Sequence, residues 1–195
     1  MSHVKTSILL SILVFLSFAT ISAQEPSAAP VAADLTTWVN VAPADAGFTI
    51  LMPSKAPEKV TPLQGHPDIE NHVIALETEL AGYVVSYMQL AEEVTDPAKI
   101  KELLDRGREG GIASTGGQLK REKEIKLSGY SGREWNVEIP GGLVATTRAY
   151  WVKRRLYQTV FITSPKDSDS PEVTKLRQDA GKKFLDSFVL NGMSK

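Results

Sequence analysis

The stretch Leu143–Thr163, LVATTRAYWVKRRLYQTVFIT, indicates the fold class of this 195-residue chain. Apolar, aromatic and β-branched residues fill two runs, Leu143–Val152 and Leu156–Thr163, which are separated by the basic residues Lys153, Arg154 and Arg155. Two strand-like runs joined by a short polar turn predict an antiparallel β-hairpin. The chain on either side should therefore supply more strands of the same sheet.

Strand patterns do occur on both sides of this hairpin. Two further predicted hairpins are Leu119–Leu127 with Arg133–Ile139, across a turn at Ser128–Gly132, and Asn71–Leu80 with Tyr83–Ala91. Shorter strands are predicted at Trp38–Val41, Phe48–Met52 and Lys59–Leu63. The segment His66–Glu70 is expected to be a surface loop, because Pro67 interrupts it.

The first of two predicted helices begins with Asp96 as its cap and Pro97 in its first turn. Gly107 and the glycines after it are expected to end this helix. Residues 110–117, GGIASTGG, are accordingly expected to form a mobile loop.

The second predicted helix begins after Ser170 and has an apolar face made of Val173, Leu176, Ala180, Phe184 and Phe188. Gly181 should weaken it by about 1 kcal/mol relative to Ala, which indicates that close packing requires a glycine there. Strands joined by tight turns, together with two amphipathic helices, predict an α+β domain. Its antiparallel β-sheet should carry flanking α-helices.

The first 23 residues have the three-part layout of a secretory signal. Lys5 gives the positive start, residues 7–21 form an uncharged apolar run, and cleavage is expected between Ala23 and Gln24. The apolar run would span only roughly 22 Å as a helix, less than a bilayer core, so a retained membrane anchor is the weaker alternative. The predicted organisation is a signal peptide at 1–23, a flexible Ala/Pro linker at 24–36, one domain at 37–190 and a tail at 191–195.

Composition limits the cellular location and the kinds of chemical site that the chain can have. The chain has no cysteine, which excludes disulfides, thiolate metal sites and a lipidated N-terminal cysteine. Of its 22 basic residues only Lys5 lies in the signal, so the mature part keeps 21 basic and 23 acidic residues. That balance disfavours binding to nucleic acid or to an anionic membrane surface. A periplasmic or secreted, non-lipidated protein without a cofactor is predicted.

Several residue sets have a partial likeness to catalytic or metal sites. The segment Gly129–Gly132 is similar to a nucleophile elbow around Ser131, but no histidine follows it in the chain, and a hairpin turn is the better interpretation. His66 and His72 could hold a metal, although their spacing fits no known ligand motif. The acidic pairs Glu77/Glu79 and Glu134/Glu138 are expected to be solvated strand faces, those of the later hairpin balanced by Lys120, Lys123 and Lys126.

A partner-binding surface is the positive hypothesis for the tip of the quoted hairpin. Arginines beside aromatic side chains are common at protein interfaces and glycan sites. The candidate residues are Tyr150, Trp151, Arg154, Arg155 and Tyr157. The interpretation that the sequence favours over this hypothesis is that the basic charges only protect an edge strand from aggregation.

Four segments resemble exported bacterial proteins of the PsbP-like superfamily. They are the Phe-x-Ile-x-Met-Pro segment Phe48–Pro53, the Gly-x-x-Gly-Arg-Glu segment Gly129–Glu134, the hairpin Arg148–Phe161 and the helix end Lys183–Phe188. The resemblance covers Trp38–Leu190 and implies an α/β/α sandwich. It also implies a binding or assembly role without catalytic residues, because the superfamily includes the photosystem II PsbP subunit and the DcrB type.

The sequence therefore predicts an exported, non-enzymatic binding or assembly module for an extracytoplasmic protein or envelope component. Two alternatives stay open. An enzyme acting on envelope carbohydrate or peptide would need a concave site with two carboxyl groups of different pKa. A carrier of a small ligand would need an apolar cavity between the sheet and a helix.

Overall fold

The computed structural model describes residues 37–63 and 65–192. The predicted signal peptide with its Ala23–Gln24 cleavage site, the linker 24–36 and the last three residues of the tail lie outside the described residues. Ten strands and two helices are formed: β1 Val39–Val41, β2 Phe48–Met52, β3 Glu58–Leu63, β4 His66–Glu77, β5 Gly82–Gln89, α1 Pro97–Thr115, β6 Gln118–Leu127, β7 Tyr130–Ile139, β8 Leu143–Val152, β9 Arg155–Thr163, α2 Pro171–Asp186 and β10 Val189–Leu190.

Seven strands form one antiparallel sheet in the order β3-β4-β5-β9-β8-β7-β6. Two meanders, β3 to β5 and β6 to β9, join where β5 pairs with β9, and Tyr87 lies opposite Tyr157 at that seam. The remaining strands form a small sheet in the order β1-β2-β10. The prediction of an α+β fold with an antiparallel sheet and two helices is confirmed.

The two helices pack on opposite faces of the large sheet. Side chains alternate across a strand, so in β8 Tyr150 and Val152 belong to one core cluster whereas Ala149 and Trp151 belong to another. The first cluster lies under α2 and the small sheet and contains Phe184 and Phe188. The second cluster contains residues of α1. We call these two sides of the sheet the α2 face and the α1 face.

Helix α1 is longer than predicted, and the prediction of a mobile loop at 110–117 is wrong. Asp96 caps the helix as expected, because its carboxylate accepts a hydrogen bond from the Ala98 amide at 2.9 Å. The helix then continues through the glycines to Thr115 and ends at Gly116, which has φ 62°. Gly107 and Gly110 are buried at the helical spacing set by Leu103 and Leu104. Burial against the sheet thus overrides the low helix propensity of glycine.

Three other local predictions are corrected by the structure. The turn of the β6–β7 hairpin is the two residues Ser128 and Gly129, both at positive φ, so Gly132 lies inside β7. The expected loop at 66–70 belongs to β4, because Pro67 lies in the irregularity where the register with β3 shifts and has no paired residue there. Leu176 is exposed, since α2 buries mainly its C-terminal half, from Ala180 onward.

Candidate functional site

The aromatic residues of the predicted partner surface lie in the core. Tyr150, Trp151 and Tyr157 are 5%, 2% and 0% exposed, and strand alternation points Trp151 to the α1 face and both tyrosines to the α2 face. The three rings therefore form no common outer surface, which corrects the expectation that they surround the hairpin tip. Burial of central strands on both faces explains their position.

The arginines of that predicted surface have separate roles. Arg155 is half-buried, donates from Nε to Gln89 Oε1 at 2.7 Å and from Nη1 to the Ala46 carbonyl at 3.0 Å, and so ties β9 to the turn before β2. Arg154 is exposed at the tip, beside the exposed Lys153. Of the predicted partner surface, Arg154 alone is exposed.

Each carboxylate of the sets Glu77/Glu79 and Glu134/Glu138 is either exposed or bound to a basic side chain. Glu77 and Glu79 are exposed, and Glu138 pairs with Lys120 at 2.7 Å. Burial raises the pKa of Glu134, but hydrogen bonds from Lys123 and Arg148 outweigh this, and the pKa is lowered overall. A general acid needs a raised carboxyl pKa, so Glu134 shows the opposite shift from the one such a role requires.

Histidine and serine are also far apart in the sheet. Both described histidines, His66 and His72, lie in β4, whereas Ser131 lies in β7, three strands beyond β5 in the pairing order. Within residues 37–63 and 65–192, no group of three or more His, Asp or Glu side chains is arranged to hold a metal ion. The serine-hydrolase and metal interpretations that the sequence analysis disfavoured therefore gain no support.

His72 instead belongs to a polar cluster that holds the edge strand β3. Its Nδ1 lies 2.8 Å from Glu58 Oε1, and its ring stacks on Tyr87 with centroids 4.4 Å apart. The Tyr87 hydroxyl donates to the same Glu58 oxygen at 2.8 Å. Burial and the Glu58 carboxylate both raise the pKa of Tyr87. The cluster connects β3, β4 and β5 side by side.

On the α1 face, the N-terminal half of α1 is fixed by charged groups. Arg133 in β7 forms an ion pair with Asp105 of α1 at 2.9 Å and donates a hydrogen bond to Glu122 of β6, and Arg108 of α1 donates to the same Glu122. These side chains are mostly buried, beside Leu103 and Leu104 in the second core cluster. An open groove of about 470 Å³ borders this network; its wall includes Lys101, Lys126 and Ser131. Its charges are mixed, and Arg133 is already paired.

The C-terminal half of α1 is held differently. Residues 110–119 carry no charge, and Gly107 and Gly110 face the sheet without side chains. A Cβ atom at Gly111 would meet nothing within 4 Å, whereas one at Gly117 would collide with Val137. Each interior glycine lowers helix stability by about 0.5–1 kcal/mol relative to Ala. This half of α1 is therefore the weaker half of the helix.

An apolar cleft lies under this weaker half. It measures about 30 Å³, close to the volume of one water molecule. Its lining contains no charged side chain and consists of Gly111, Thr115, Trp135, Val137, Ile139, Ala145, Thr147 and Val160. A concave apolar site with a few hydroxyl groups is typical of ligand sites, although this cleft is far smaller than most of them.

An apolar patch continues from the cleft toward solvent. We define it as Leu119, Ile139, Leu143 and Ile162. On the α1 face Leu119 pairs across the strands with Val137, Ile139 pairs with Leu143, and Ile162 pairs with Ala145. Leu119 and Leu143 are 41% and 36% exposed. Exposed apolar groups that adjoin one another mark binding surfaces more often than isolated ones do. The patch and the cleft together form the candidate functional site.

Sequence reasoning missed this site. The cleft joins α1 to β7, β8 and β9, and its roof is the glycine-rich segment that the sequence indicated to be a loop. The signal that could have found it is the spacing of Gly107, Gly110 and Gly111 after Leu103 and Leu104, which continues one helical face. Neither helix within residues 37–63 and 65–192 is long and apolar enough to cross a bilayer.

Comparison with known proteins gives a distant structural similarity. No family model matches the chain, and no curated protein matches it. Among solved structures, the chain is similar to LpqN of Mycobacterium tuberculosis, described as involved in cell envelope biogenesis. The identity is 11%, the alignment covers 80% of this chain and 91% of LpqN, and the TM-score is 0.40.

Proposed function

We propose that the protein is an exported, non-enzymatic binding module of the PsbP-like α/β/α type, and that its α1 face holds the partner. The observation that carries this proposal is the exposure of Leu119 and Leu143 beside the cleft. The opposite face is covered by α2 and the small sheet, whose core includes the fully buried Phe48 and Phe184. The α1 face is the one that offers adjoining apolar groups to a partner.

The extracytoplasmic location is part of the same proposal. It rests on the signal-like layout of residues 1–23. Intact-mass measurement of the exported protein tests it. A mature chain beginning at Gln24 is expected, and a chain that keeps the apolar run would contradict it.

Crosslinking in the intact envelope tests the binding surface. The full mature chain is expressed as the wild type and as the double variant Leu119→Ser/Leu143→Ser, and crosslinked partners are identified by mass. The control variant Val60→Ser/Leu176→Ser removes two apolar side chains of similar exposure, 49% and 48%, from outside the patch. Equal unfolding midpoints show that all three proteins are folded.

We expect the patch variant to lose a reproducible partner that the wild type and the control variant both retain. Retention by the patch variant, or equal loss by the two variants, would contradict the proposed surface. Turnover of an envelope carbohydrate or peptide that Glu134→Gln abolishes would contradict the non-enzymatic role.

A further inference from the structure

We infer that the chain segment directly before β1, residues 31–36 with the sequence VAADLT, docks along the N-terminal half of α2 with the Leu35 side chain on Leu176. Residues 31–36 lie outside the described residues. Their placement rests on a groove beside Leu176, on the direction in which the chain reaches β1, and on the spacing of the two leucines. The groove borders α2, so it is separate from the proposed partner surface.

The groove measures about 560 Å³ and lies between α2, the turn that joins β4 to β5, and the connection from β9 to α2. Leu176 is 48% exposed in it, although the sequence assigns this leucine to the apolar face of α2. Arg177 donates to Asp169 at 2.6 Å and to the Leu80 carbonyl at 3.4 Å, so this charge is already paired. The lining as a whole mixes apolar and polar side chains: Glu79, Leu80, Ser164, Lys166, Asp169, Val173, Leu176 and Arg177. A peptide segment with alternating apolar and polar residues, such as VAADLT, suits a mixed lining of this kind.

The direction of β1 leads the preceding chain toward this groove. The ring of Phe48, at the start of β2, stacks on Phe188, just beyond the C-terminal end of α2, with centroids 5.2 Å apart. Because β1 is antiparallel to β2, its first residue Val39 pairs with Met52, at the opposite end of β2 from Phe48. Going back along β1 therefore means moving away from the C-terminal end of α2.

The contacts of Trp38 confirm this direction. Its ring meets Tyr83 edge to face with centroids 5.9 Å apart, and Nζ of Lys183 lies 4.7 Å from the centroid of the Trp38 ring. Lys183 lies more than one turn before Phe188 in the sequence of α2. The chain has thus moved back along α2 by the time it reaches Trp38, and residues 31–36 continue from that point.

The two leucines have matching positions relative to Trp38 and Lys183. Leu176 precedes Lys183 by seven residues, nearly two full turns, so the two side chains share one side of α2 and lie about 10.5 Å apart along its axis. Leu35 precedes Trp38 by three residues. A polyproline II segment rises about 3.1 Å per residue with three residues per turn, which would put Leu35 on the same side as Trp38 and roughly 9 Å away. Leu35 would then lie over Leu176.

Backbone relaxation of the isotope-labelled exported protein tests the inference by nuclear magnetic resonance. Docked residues 33–36 should have order parameters near 0.85, roughly the value of rigid backbone, whereas a free segment falls below about 0.6. Nuclear Overhauser effects should also connect the methyl groups of Leu35 with those of Leu176 or Val173.

Two variants make the test specific to the groove. Leu176→Ser and Val60→Ser each remove an apolar side chain of equal exposure, 48% and 49%, and Val60 lies in the edge strand β3, away from α2. We expect Leu176→Ser to lower the order parameters of residues 33–36 below about 0.6 while those of α2 stay at the wild-type values. Val60→Ser should leave both segments unchanged.

Order parameters of residues 33–36 below about 0.6 in the wild type would overturn the inference. An equal response to the two variants, or methyl contacts of Leu35 with another part of the surface, would do the same. Each of these outcomes is separable from failure of the proposed function, because that function is tested through Leu119 and Leu143, which neither variant changes.

Discussion

Gly181 of α2 lies so close to Phe161 of β9 that a Cβ atom on the glycine would be 2.6 Å from Cε1 of the ring. Phe161 is buried in the core cluster under α2, where its ring also meets Tyr83 edge to face at 5.4 Å. The glycine therefore sets the distance between α2 and the sheet. The sequence-based expectation that close packing requires Gly181 is confirmed.

The substitution Gly181→Ala should destabilise the protein although alanine favours helix formation. The gain in helix propensity is about 1 kcal/mol, whereas overpacking a rigid ring costs about 1–3 kcal/mol. A net loss of about 1 kcal/mol in the free energy of unfolding is expected from urea titration. The control is Gly111→Ala, where the added carbon meets nothing within 4 Å and stability should rise by up to about 1 kcal/mol. Equal effects at both glycines would contradict this account.

Local patterns in the sequence predicted most strands and helices, because each pattern reflects interactions between residues that are close together in the chain. The alternating residues Phe48, Ile50 and Met52 are all buried in β2, as their period of two indicated. Ser170 caps α2, and its hydroxyl accepts a hydrogen bond from the Val173 amide. Such signals act over a few residues, so no knowledge of the tertiary structure was needed.

The candidate site could not be predicted because it depends on long-range pairing. Central strands such as β8 are buried on both faces, so Tyr150 and Trp151 became core residues of opposite sides. Nothing local in the sequence distinguishes a buried tyrosine from one that contacts a partner. The cleft exists only because α1 continues through Gly107 and Gly110, which tertiary packing decides and propensity opposes.

The substitution Arg133→Gln should loosen α1 from the sheet. It removes the ion pair with Asp105 and the charged hydrogen bond to Glu122, and leaves these half-buried carboxylates with fewer cationic partners. Loss of a mostly buried charged partner should cost about 1–3 kcal/mol. The control Lys175→Gln breaks an exposed pair with Asp179 and should cost less than about 0.5 kcal/mol. Urea unfolding measures both, and a difference near zero between the two variants would contradict the anchoring role.

Stability should fall in alkali because of Tyr83. Burial raises the pKa of Tyr83 to about 12, with the Thr78 side chain opposing the shift, and within the described residues the Tyr83 hydroxyl has no hydrogen-bond partner. The unfolded chain loses this phenolic proton near pH 10, and the folded chain keeps it up to about pH 12. The stabilisation is thus complete below pH 10 and is lost as the pH rises through 10 to 12. Urea unfolding across this window should show a smaller decline for Tyr83→Phe, and an unchanged decline would contradict the role of this hydroxyl.

Stability should fall in acid because Arg148 joins β7 to α2 through two carboxylates. It donates from Nε to Glu134 at 2.6 Å and from Nη1 to Asp186 at 2.8 Å. The hydrogen bond from Lys182, opposed by burial and assisted by Arg148, lowers the pKa of Asp186, and the pKa of Glu134 is lowered too. A carboxyl group whose pKa is lowered on folding stabilises the fold at every pH above its ordinary pKa. This stabilisation is lost as the pH falls from the ordinary pKa through the lowered one.

Glu134→Gln should therefore be less stable than the wild type at neutral pH and lose less stability in acid. The exposed control Glu138→Gln, which loses only a pair with Lys120, should keep the acid dependence of the wild type. If both variants followed the wild-type curve, the Arg148 bridge would not be the source of the acid sensitivity.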